Sequence, residues 1–525
     1  MATLRIFSTL APDSAAPQTH VWPRIGYLLL LLSLSLFLLE AWTPVEQMDD
    51  AFISYRYAQN LLDGQGLVFN PGERVEGYTN LSWTLLVAGG MALGLPASLA
   101  GHWLGLLAGL WLLWASYRYA AFLLTPATRW LAGLAPGVLL ASNSFAGWSG
   151  AGLETSLFAA TAVSALHAYG RGRMGMVLLW TVLASLTRPE GVLLAGLLLG
   201  WDWLVRELRE RPRHLLTLLR LSWPALGFAA YLLLHTAFRL YYYGDYVPNT
   251  FHAKVGGVPL NRGFSYVYHF LIDGPGLLLI PALIAALKYP AYRMGFVYLT
   301  LTLAYSVAVG GDAFRLGRFL LPVLPVLIAG ALVGACWLFY RQRALGLALG
   351  LTLPASILWA LYSPWPANFE FSGLEARPWP VSAKRLSARK HDIFINEAIS
   401  RQLVAALGQL QPPVKRLAAI GIGQIGFFGM HLEIIDVVGL TDRHIARSER
   451  RIDAAFILPG HQRTDADYVF SRKPDALIIP RKDSPKIVLL PATLDLWRDP
   501  RLSAEYHWDE TLMLYLRNPE LRGKP

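Results

Sequence analysis

Eleven apolar runs, each close to the length needed to cross a lipid bilayer, occupy most of the first 362 residues of this chain. A transmembrane helix needs about 20 consecutive, mostly apolar residues. The pattern therefore predicts a mainly α fold, a polytopic bundle of about 11 transmembrane helices. The runs lie near residues 25–42, 98–117, 130–142, 155–168, 174–187, 191–205, 217–238, 266–287, 294–309, 317–340 and 344–362.

The composition changes after Tyr362. The whole chain is 54% hydrophobic and 15% charged, whereas soluble domains are about a quarter charged. From Ser363 onward the sequence is mixed and charged like a soluble domain. Short β-rich runs lie there at 415–421, 432–438 and 475–480, with a helical stretch at 392–408. We expect a cytoplasmic tail at 1–24, a membrane domain at 25–362 and a soluble, periplasmic α/β domain at 363–525.

Arginine and lysine between the runs set the expected orientation, because loops rich in these residues stay on the cytoplasmic side. The net charge of +11 is explained by these loops, so we do not expect nucleic acid as a partner. No signal-peptidase site follows the first run, which we expect to remain as a span of a bacterial inner-membrane protein. The run 80–95 is ambiguous: it could cross the membrane, or it could be a re-entrant or in-plane helix. If it does not cross, every span alternates correctly. The outer loops are then 43–79, 143–154, 187–191, 239–265 and 310–318.

The first outer loop, 43–79, begins with two adjacent carboxylates, Asp49 and Asp50. Like charges beside a hydrocarbon boundary are costly unless they are paired or used. One of them could accept the proton of a reacting hydroxyl, one could cap the helix that follows, or the two could hold a divalent cation. Phe52, Tyr55 and Arg56 follow at helical spacing, which suits a helix on the membrane surface.

The other outer loops supply cations, acids and aromatic rings. Arg188 and the arginines of the last loop are candidates for binding a phosphate, although each could instead pair with a nearby acid. The tyrosines of the fourth loop suit either sugar stacking or an interfacial belt. Arg188, Lys254, Arg315 and Arg318 are the phosphate candidates, and Arg56, Glu76, Tyr78, Glu154, Glu190, Asn249, His252 and Asp312 are candidates for substrate or structural support.

These loops resemble a known family. The stretches Asp49–Tyr57 and Gly66–Thr79, with shorter blocks at 152–155, 188–191, 248–251, 310–318 and 436–442, are similar to GT-C membrane glycosyltransferases, in particular to those that add arabinofuranose to mycobacterial arabinan or to type IV pilin. The resemblance implies a polyprenyl-phosphate pentose donor and a glycan or protein acceptor in the periplasm. It also implies an essential carboxylate in the first loop, and favours Asp49 over Asp50. Related enzymes transfer hexoses or aminosugars, so the sugar stays open.

Two other classes are less consistent with the sequence. Gly421–Gly426 matches G-x-G-x-x-G, but only about ten residues separate it from Asp436, too few for the crossover helix of a dinucleotide-binding unit. A transporter is disfavoured because the polar residues lie at one edge of the runs instead of at the midplane. A single cysteine, Cys336, excludes disulfides within the chain, and histidine spacing supports no metal site. We expect no cofactor.

Overall fold

The computed structural model describes residues 21–44, 47–204, 215–254, 260–272, 274–312, 317–362, 397–450, 452, 461–482 and 490–522. The described part before Tyr362 is almost entirely helical, as the apolar runs predict. Its α-helices are α1 Val21–Ala41, α2 Asp49–Leu62, α3 Leu81–Ala92, α4 Ala97–Leu123, α5 Leu134–Leu140, α6 Asn143–Ser149, α7 Thr155–Gly170, α8 Met174–Thr187, α9 Gly191–Ala195, α10 Leu215–Tyr243, α11 Asn249–Lys254, α12 Leu260–Ile272, α13 Leu279–Lys288, α14 Pro290–Ala308, α15 Leu324–Arg341, α16 Arg343–Gly350 and α17 Thr352–Tyr362.

Several of these helices continue into or out of tighter or wider turns. Short 3-10 segments precede α5, α13 and α15, and a π-type turn continues α9. The segments are Arg129–Gly133, Pro275–Leu278, Arg318–Val323 and Gly196–Gly200. Proline marks some of the boundaries. Helix α8 ends before Pro189, because the residue preceding a proline avoids the helical region, and α14 begins at Pro290.

Three of the described helical segments are long and apolar enough to cross a membrane on their own: Arg24–Ala41, Ala97–Leu123 and Arg318–Arg341. A fourth results if the pair Leu260–Ile272 and Pro275–Lys288, bent by 77°, acts as one span. The remaining apolar helices are shorter or broken, so the count of about 11 spans stays a prediction. At 12 residues, α3 is about 18 Å long, less than the roughly 30 Å hydrocarbon core, and whether it crosses stays open.

The described part after residue 396 has a five-stranded sheet with short helices. The strands are β1 Arg416–Ala419, β2 Glu433–Asp436, β3 Ala476–Ile478, β4 Tyr506–Asp509 and β5 Leu514–Arg517, and the helices are α18 Glu397–Gln409, α19 Gly423–Phe428, α20 Arg443–Arg447, α21 Ala466–Ser471, α22 Pro491–Arg498 and α23 Pro500–Glu505. The strand order is β2-β1-β3-β5-β4, with β1 parallel to β2 and β3 and with β5 antiparallel to β3 and β4. We call this part the tail domain.

Helix α2 lies between the bundle and the tail domain, and the expected helix on the membrane surface is wrong in this respect. Its residues from Ala51 to Ala58 are all buried, and it packs against both α3 and α19. Phe52 contacts the rings of Phe427 and Phe428 at centroid distances of 5.6 and 5.4 Å. The acidic start of this helix is therefore enclosed by protein on several sides.

Candidate functional site

Arg56 fastens α2 to the tail domain. Its guanidinium is fully buried and donates to the main-chain carbonyl oxygens of Phe69, Gly426, Gly429 and Leu432 and to Asn70 Oδ1. Arginine is suited to this because its five N–H groups point in fixed, planar directions. Arg56 therefore joins three segments of the chain and points away from the charged groups described below.

Two asparagines add further links between the helical part of the chain and the tail domain. The amide of Asn70 donates to the Ile434 oxygen at 2.8 Å and accepts from the Ile434 nitrogen at 3.1 Å, so it pairs with β2 as a strand would. Asn249 Nδ2 donates to the carbonyl oxygens of Gly439, Leu440 and Asp442 at 2.9–3.1 Å. These contacts hold the first and fourth outer loops to the tail domain.

Asp49 contacts the first turn of α19 through both carboxylate oxygens. Oδ2 accepts from the Gly423 nitrogen at 2.9 Å and Oδ1 accepts from the Gln424 nitrogen at 2.8 Å. Burial raises the pKa of Asp49 to about 7, although these two hydrogen bonds lower it and Asp50 raises it further. No side chain caps the start of α2 at Met48, so the expectation that one of the two aspartates caps this helix is wrong.

Asp50, the next residue, differs from Asp49 because its carboxylate accepts no main-chain N–H group of the described residues. It keeps partial exposure, and its side chain makes no hydrogen bond or ion pair with any residue that the structure describes. Burial raises the pKa of Asp50, while the nearby charges of Arg318 and Lys254 lower it and Asp312 and Glu154 raise it. Asp50 is thus the member of the pair without a hydrogen-bond partner among the described residues, and charges on the loops near 154, 254 and 312–318 act on it.

Arg188 and two acids form one part of this cluster. Arg188 Nη1 donates to Glu154 Oε1 at 2.7 Å, and its Nε and Nη2 donate to Glu190 at 3.2 and 2.9 Å. Asn80 Nδ2 donates to the second oxygen of Glu154 at 2.8 Å. The guanidinium also lies over the Phe319 ring, 5.0 Å from its centroid. The loops at 80, 154 and 188 are thereby joined.

Arg318 is paired in the same way with Asp312, at 2.6 and 3.0 Å, and both side chains are buried. The alternative that these arginines pair with neighbouring acids is therefore what the structure shows. Because Asp312 accepts two hydrogen bonds from the Arg318 guanidinium, it fixes the plane of this group and the direction of its remaining N–H groups. Arg315 lies outside the described residues.

Lys254, at the end of α11, differs from the two arginines. Its side chain is exposed, and no ion pair reaches it from the part of the chain that is described. Desolvation and Arg318 lower the pKa of its ammonium, while Asp50 and Asp312 raise it. The charges of Lys254 and Asp50 act on each other's pKa, so both residues belong to the same charged cluster.

A narrow cleft in the bundle leads to the two arginines. Its walls come from α9, α14 and the turn before α15, and they are mainly apolar and aromatic. The lining includes Leu193, Tyr298, Leu301, Tyr305, Phe319 and Pro322, with Phe158, Arg188, Glu190, Thr302 and Arg318 completing it. The cleft encloses only about 20 Å³, so it places apolar and aromatic walls beside the two cations but is not a preformed cavity for a lipid chain.

A wide outer groove of about 970 Å³ lies between the first outer loop, the end of α10 and the tail domain. Tyr241, 87% exposed, Tyr242 and Tyr468 line it, and His444 stacks on Tyr468 at 4.0 Å with an interplanar angle of 12°. Arg74 lies over the Tyr242 ring at 4.8 Å. Aromatic faces beside polar groups are the usual lining of saccharide-binding surfaces.

The remaining expected residues support the framework around the cluster. Glu76 forms an ion pair with Arg239 at 2.9 Å, the hydroxyls of Tyr78 and Tyr243 are 3.0 Å apart, and His252 Nε2 lies 3.1 Å from Asp245 Oδ2. In the described part of the chain no three His, Cys, Asp or Glu side chains are grouped as metal ligands.

Sequence reasoning missed Asn70, Asn80 and Arg239. Asn70 and Asn80 stand within or next to the first signature block, which was the only signal that could have drawn attention to them. Arg239 lies at the end of an apolar run, where it looks like a charge at the membrane boundary. Its contact with Glu76 spans 163 residues.

The resemblance to membrane glycosyltransferases is confirmed by comparison with known proteins. The chain is 31% identical over 264 residues to the terminal β-(1→2)-arabinofuranosyltransferase of Mycobacterium tuberculosis. The match covers 45% of this chain and 39% of the relative, so the chain spans about two fifths of that protein's length. Residues 391–518 match a family described as a domain of unknown function, DUF8728.

Two solved structures can be superimposed on the chain. ArnT from Cupriavidus metallidurans in the apo state has a TM-score of 0.47 and 14% identity over 80% of this chain and 86% of its own. The mycobacterial arabinofuranosyltransferase AftD has a TM-score of 0.48 and 14% identity over 90% of this chain and 36% of its own.

Proposed function

We propose that this chain is a GT-C glycosyltransferase that transfers arabinofuranose from a polyprenyl-phosphate donor to a glycan acceptor at the periplasmic face of the bacterial inner membrane. The observation that carries the proposal is the pairing pattern of the charged cluster. Arg188 and Arg318 have acidic partners. Asp50 and Lys254 have no ion-pair partner among the described residues, and the charge of each acts on the pKa of the other. One acid and one cation therefore remain available to substrates.

The apolar cleft beside the cluster supports a lipid-linked donor. A prenyl chain that enters between α9 and α14 by moving them apart would bring its phosphate to Arg188 and Arg318, with Lys254 available as a further cation. Cations that pair with a phosphate lower the energy of the lipid monophosphate as it leaves. The outer groove with its exposed tyrosines supports a saccharide as acceptor.

The chemistry assigned to Asp50 follows from its open carboxylate. The acceptor hydroxyl approaches the anomeric carbon of the donor sugar, and its proton passes to Asp50. The bond between the anomeric carbon and the phosphate oxygen breaks, and the bond to the acceptor oxygen forms. The products are the glycosylated acceptor and polyprenyl phosphate. Asp49 is less suited to this role, because both of its oxygens accept main-chain N–H groups.

The choice of arabinofuranose rests on the similarity to the mycobacterial relative and on the first-loop signature. A transferase that uses a hexose or aminosugar on O-antigen, lipid A or pilin has the same site requirements. A transporter or flippase is the candidate from another class, and it would need polar groups inside the bundle. In the described residues the charged groups of the site lie at helix ends.

The test is transfer of radiolabelled arabinose from synthetic polyprenyl-phosphoryl-arabinofuranose by the purified protein. We expect Asp50→Asn to lower kcat at least ~100-fold and Lys254→Met to raise the donor KM roughly tenfold. Asp63→Asn, on the exposed end of α2, and Lys288→Met, at the predicted cytoplasmic end, are the matched controls. Transfer only from polyprenyl-phosphoryl hexoses would contradict the pentose assignment, and lipid-sugar movement across vesicles without transfer would contradict the enzyme.

A further inference from the structure

We propose, on the basis of the function above, that the tail domain is a working part of the active site, and that Asp49 is a positioning residue which clasps the first turn of α19 and so directs Asp50 towards the cations. This gives a role to the domain of unknown function, which includes residues 423 and 424. It also gives a role to the glycine-rich segment Gly421–Gly426, which the dinucleotide interpretation left unexplained.

The contact is too close for any residue but glycine at its centre. A Cβ added to Gly423 would lie 1.7 Å from the main-chain oxygen of Asp49 and 3.0 Å from its carboxylate carbon. A Cβ on Gly426 would lie 2.9 Å from the Phe69 ring and 3.4 Å from Arg56 Nη1. These glycines let α19 approach the start of α2, where the two main-chain N–H groups reach the Asp49 carboxylate.

The clasp fixes the rotation of the first turn of α2. Successive residues in an α-helix point about 100° apart, so holding the side chain of Asp49 against the tail domain turns Asp50 away from it, towards Lys254 and Arg318. The main-chain nitrogen of Met48, just before the helix, donates to the Ala151 oxygen at 3.2 Å. The start of α2 is thus held from the bundle side and from the tail side.

The cations and the lipid cleft do not belong to the tail domain. Arg188, Lys254 and Arg318 all stand before Tyr362, and none of the cleft lining comes from the tail domain. Loosening the clasp is therefore expected to slow the chemical step while leaving donor binding intact. This separation distinguishes a positioning role from a general loss of structure.

The experiment compares Gly423→Ala with Gly408→Ala. Gly408 lies in α18 of the same domain, and a Cβ there meets nothing within 4 Å. For Gly423→Ala we expect kcat to fall at least ~10-fold. The dissociation constant for polyprenyl phosphate should stay within about twofold of wild type, because the cations that bind the phosphate lie outside the tail domain. Gly408→Ala is expected to retain wild-type values. Hydrogen exchange at residues 423–424 should accelerate in Gly423→Ala alone.

The pH profile separates positioning from partial unfolding. Undocking the tail domain lets water reach Asp50, which reduces the desolvation that raises its pKa. Burial acts on the pKa of Asp50 more strongly than Arg318 and Lys254 do, so hydration of Asp50 outweighs a weaker contact with these two cations. The acid limb of kcat against pH should then move to lower pH in Gly423→Ala. A smaller folded fraction would lower kcat without moving this limb.

Faster hydrogen exchange at 423–424 with unchanged kcat and an unchanged acid limb would overturn the positioning role and leave the proposed function standing. Equal losses of kcat and of polyprenyl-phosphate binding would also overturn it. Absence of transfer by the wild type from every polyprenyl-phosphoryl sugar would instead overturn the proposed function, and this inference with it.

Discussion

Arg188 and Glu154 form an ion pair of 2.7 Å, in which both side chains are buried and neither is left with a single partner. Glu154 also accepts from Asn80, and Arg188 also pairs with Glu190. The chain Asn80–Glu154–Arg188–Glu190 fixes the plane of the guanidinium next to the apolar cleft. The ion pairs with Glu154 and Glu190 therefore set the orientation of the Arg188 guanidinium.

Removal of the Glu154 charge should destabilise the protein. In Glu154→Gln, Arg188 keeps one acidic partner, so the free energy of unfolding should fall by about 3 kcal/mol, near the lower end for a broken buried pair. Thermal unfolding in detergent measures this. Glu510→Gln breaks the exposed pair with Arg481 and should cost less than ~1 kcal/mol. A loss of equal size in both variants would show that burial of the Arg188 pair is not what matters.

The pH dependence of transfer should report on Asp50. Because burial raises the pKa of Asp50, the acid limb of kcat/KM should lie above the ordinary aspartate range. Lys254 lowers the pKa of Asp50, so its removal raises that pKa, and the limb should move to higher pH in Lys254→Met. Since a base works as the carboxylate, activity is lost as pH falls through the limb in both proteins. Movement to lower pH would contradict the assignment of Asp50 as the base.

Arg56 should determine whether the tail domain stays docked. Arg56→Met leaves buried carbonyl oxygens at Phe69, Gly426 and Leu432 without a donor, which costs about 1–3 kcal/mol each when unsatisfied. We expect faster proteolysis within residues 397–450 and loss of transfer. Arg498→Met, at an exposed position of α22, is the control. Protease resistance equal to wild type in Arg56→Met would show that the asparagine contacts suffice.

The outer groove should affect the acceptor and not the donor. Tyr241→Ala removes an exposed ring from the groove. A contact between a sugar and an aromatic ring contributes about 1 kcal/mol, so the acceptor KM should rise at least ~5-fold. The donor KM should not change. Tyr246→Ala, 68% exposed and outside the groove lining, should behave as wild type. If both variants weaken vesicle association and leave the acceptor KM unchanged, the tyrosines form an interfacial belt.

Local pattern was enough to find the helical bundle, the β-rich segments of the tail domain and the acidic start of α2. The first three strands and α18 lie within a few residues of the runs that indicated them, because apolar periodicity acts over short distances. Strands β4 and β5 were missed, since Tyr506–Asp509 and Leu514–Arg517 are short and mixed in character.

The choice between Asp49 and Asp50 could not be made from the sequence. The two residues are chemically equal and adjacent, and what separates them is a contact with Gly423 that spans 374 residues. The pairing of Arg188 with Glu154 spans 34 residues, and nothing local indicates which acid it selects. Such long-range choices depend on how the loops and the tail domain pack, so they appear only in three dimensions.

The tail domain contacts Asp49 through main-chain N–H groups, so the constraint on positions 49 and 423 in related proteins should be steric and not electrostatic. Since a Cβ at position 423 would lie 1.7 Å from the main-chain oxygen of residue 49, no change of side chain at position 49 would make room for it, and Gly423 should persist in every relative that keeps this docking. An alignment of relatives should therefore keep glycine at position 423 wherever position 49 is acidic, while position 50 stays acidic. Related sequences alone would then show whether the tail domain docks on α2 in the same way, without a structure of each relative.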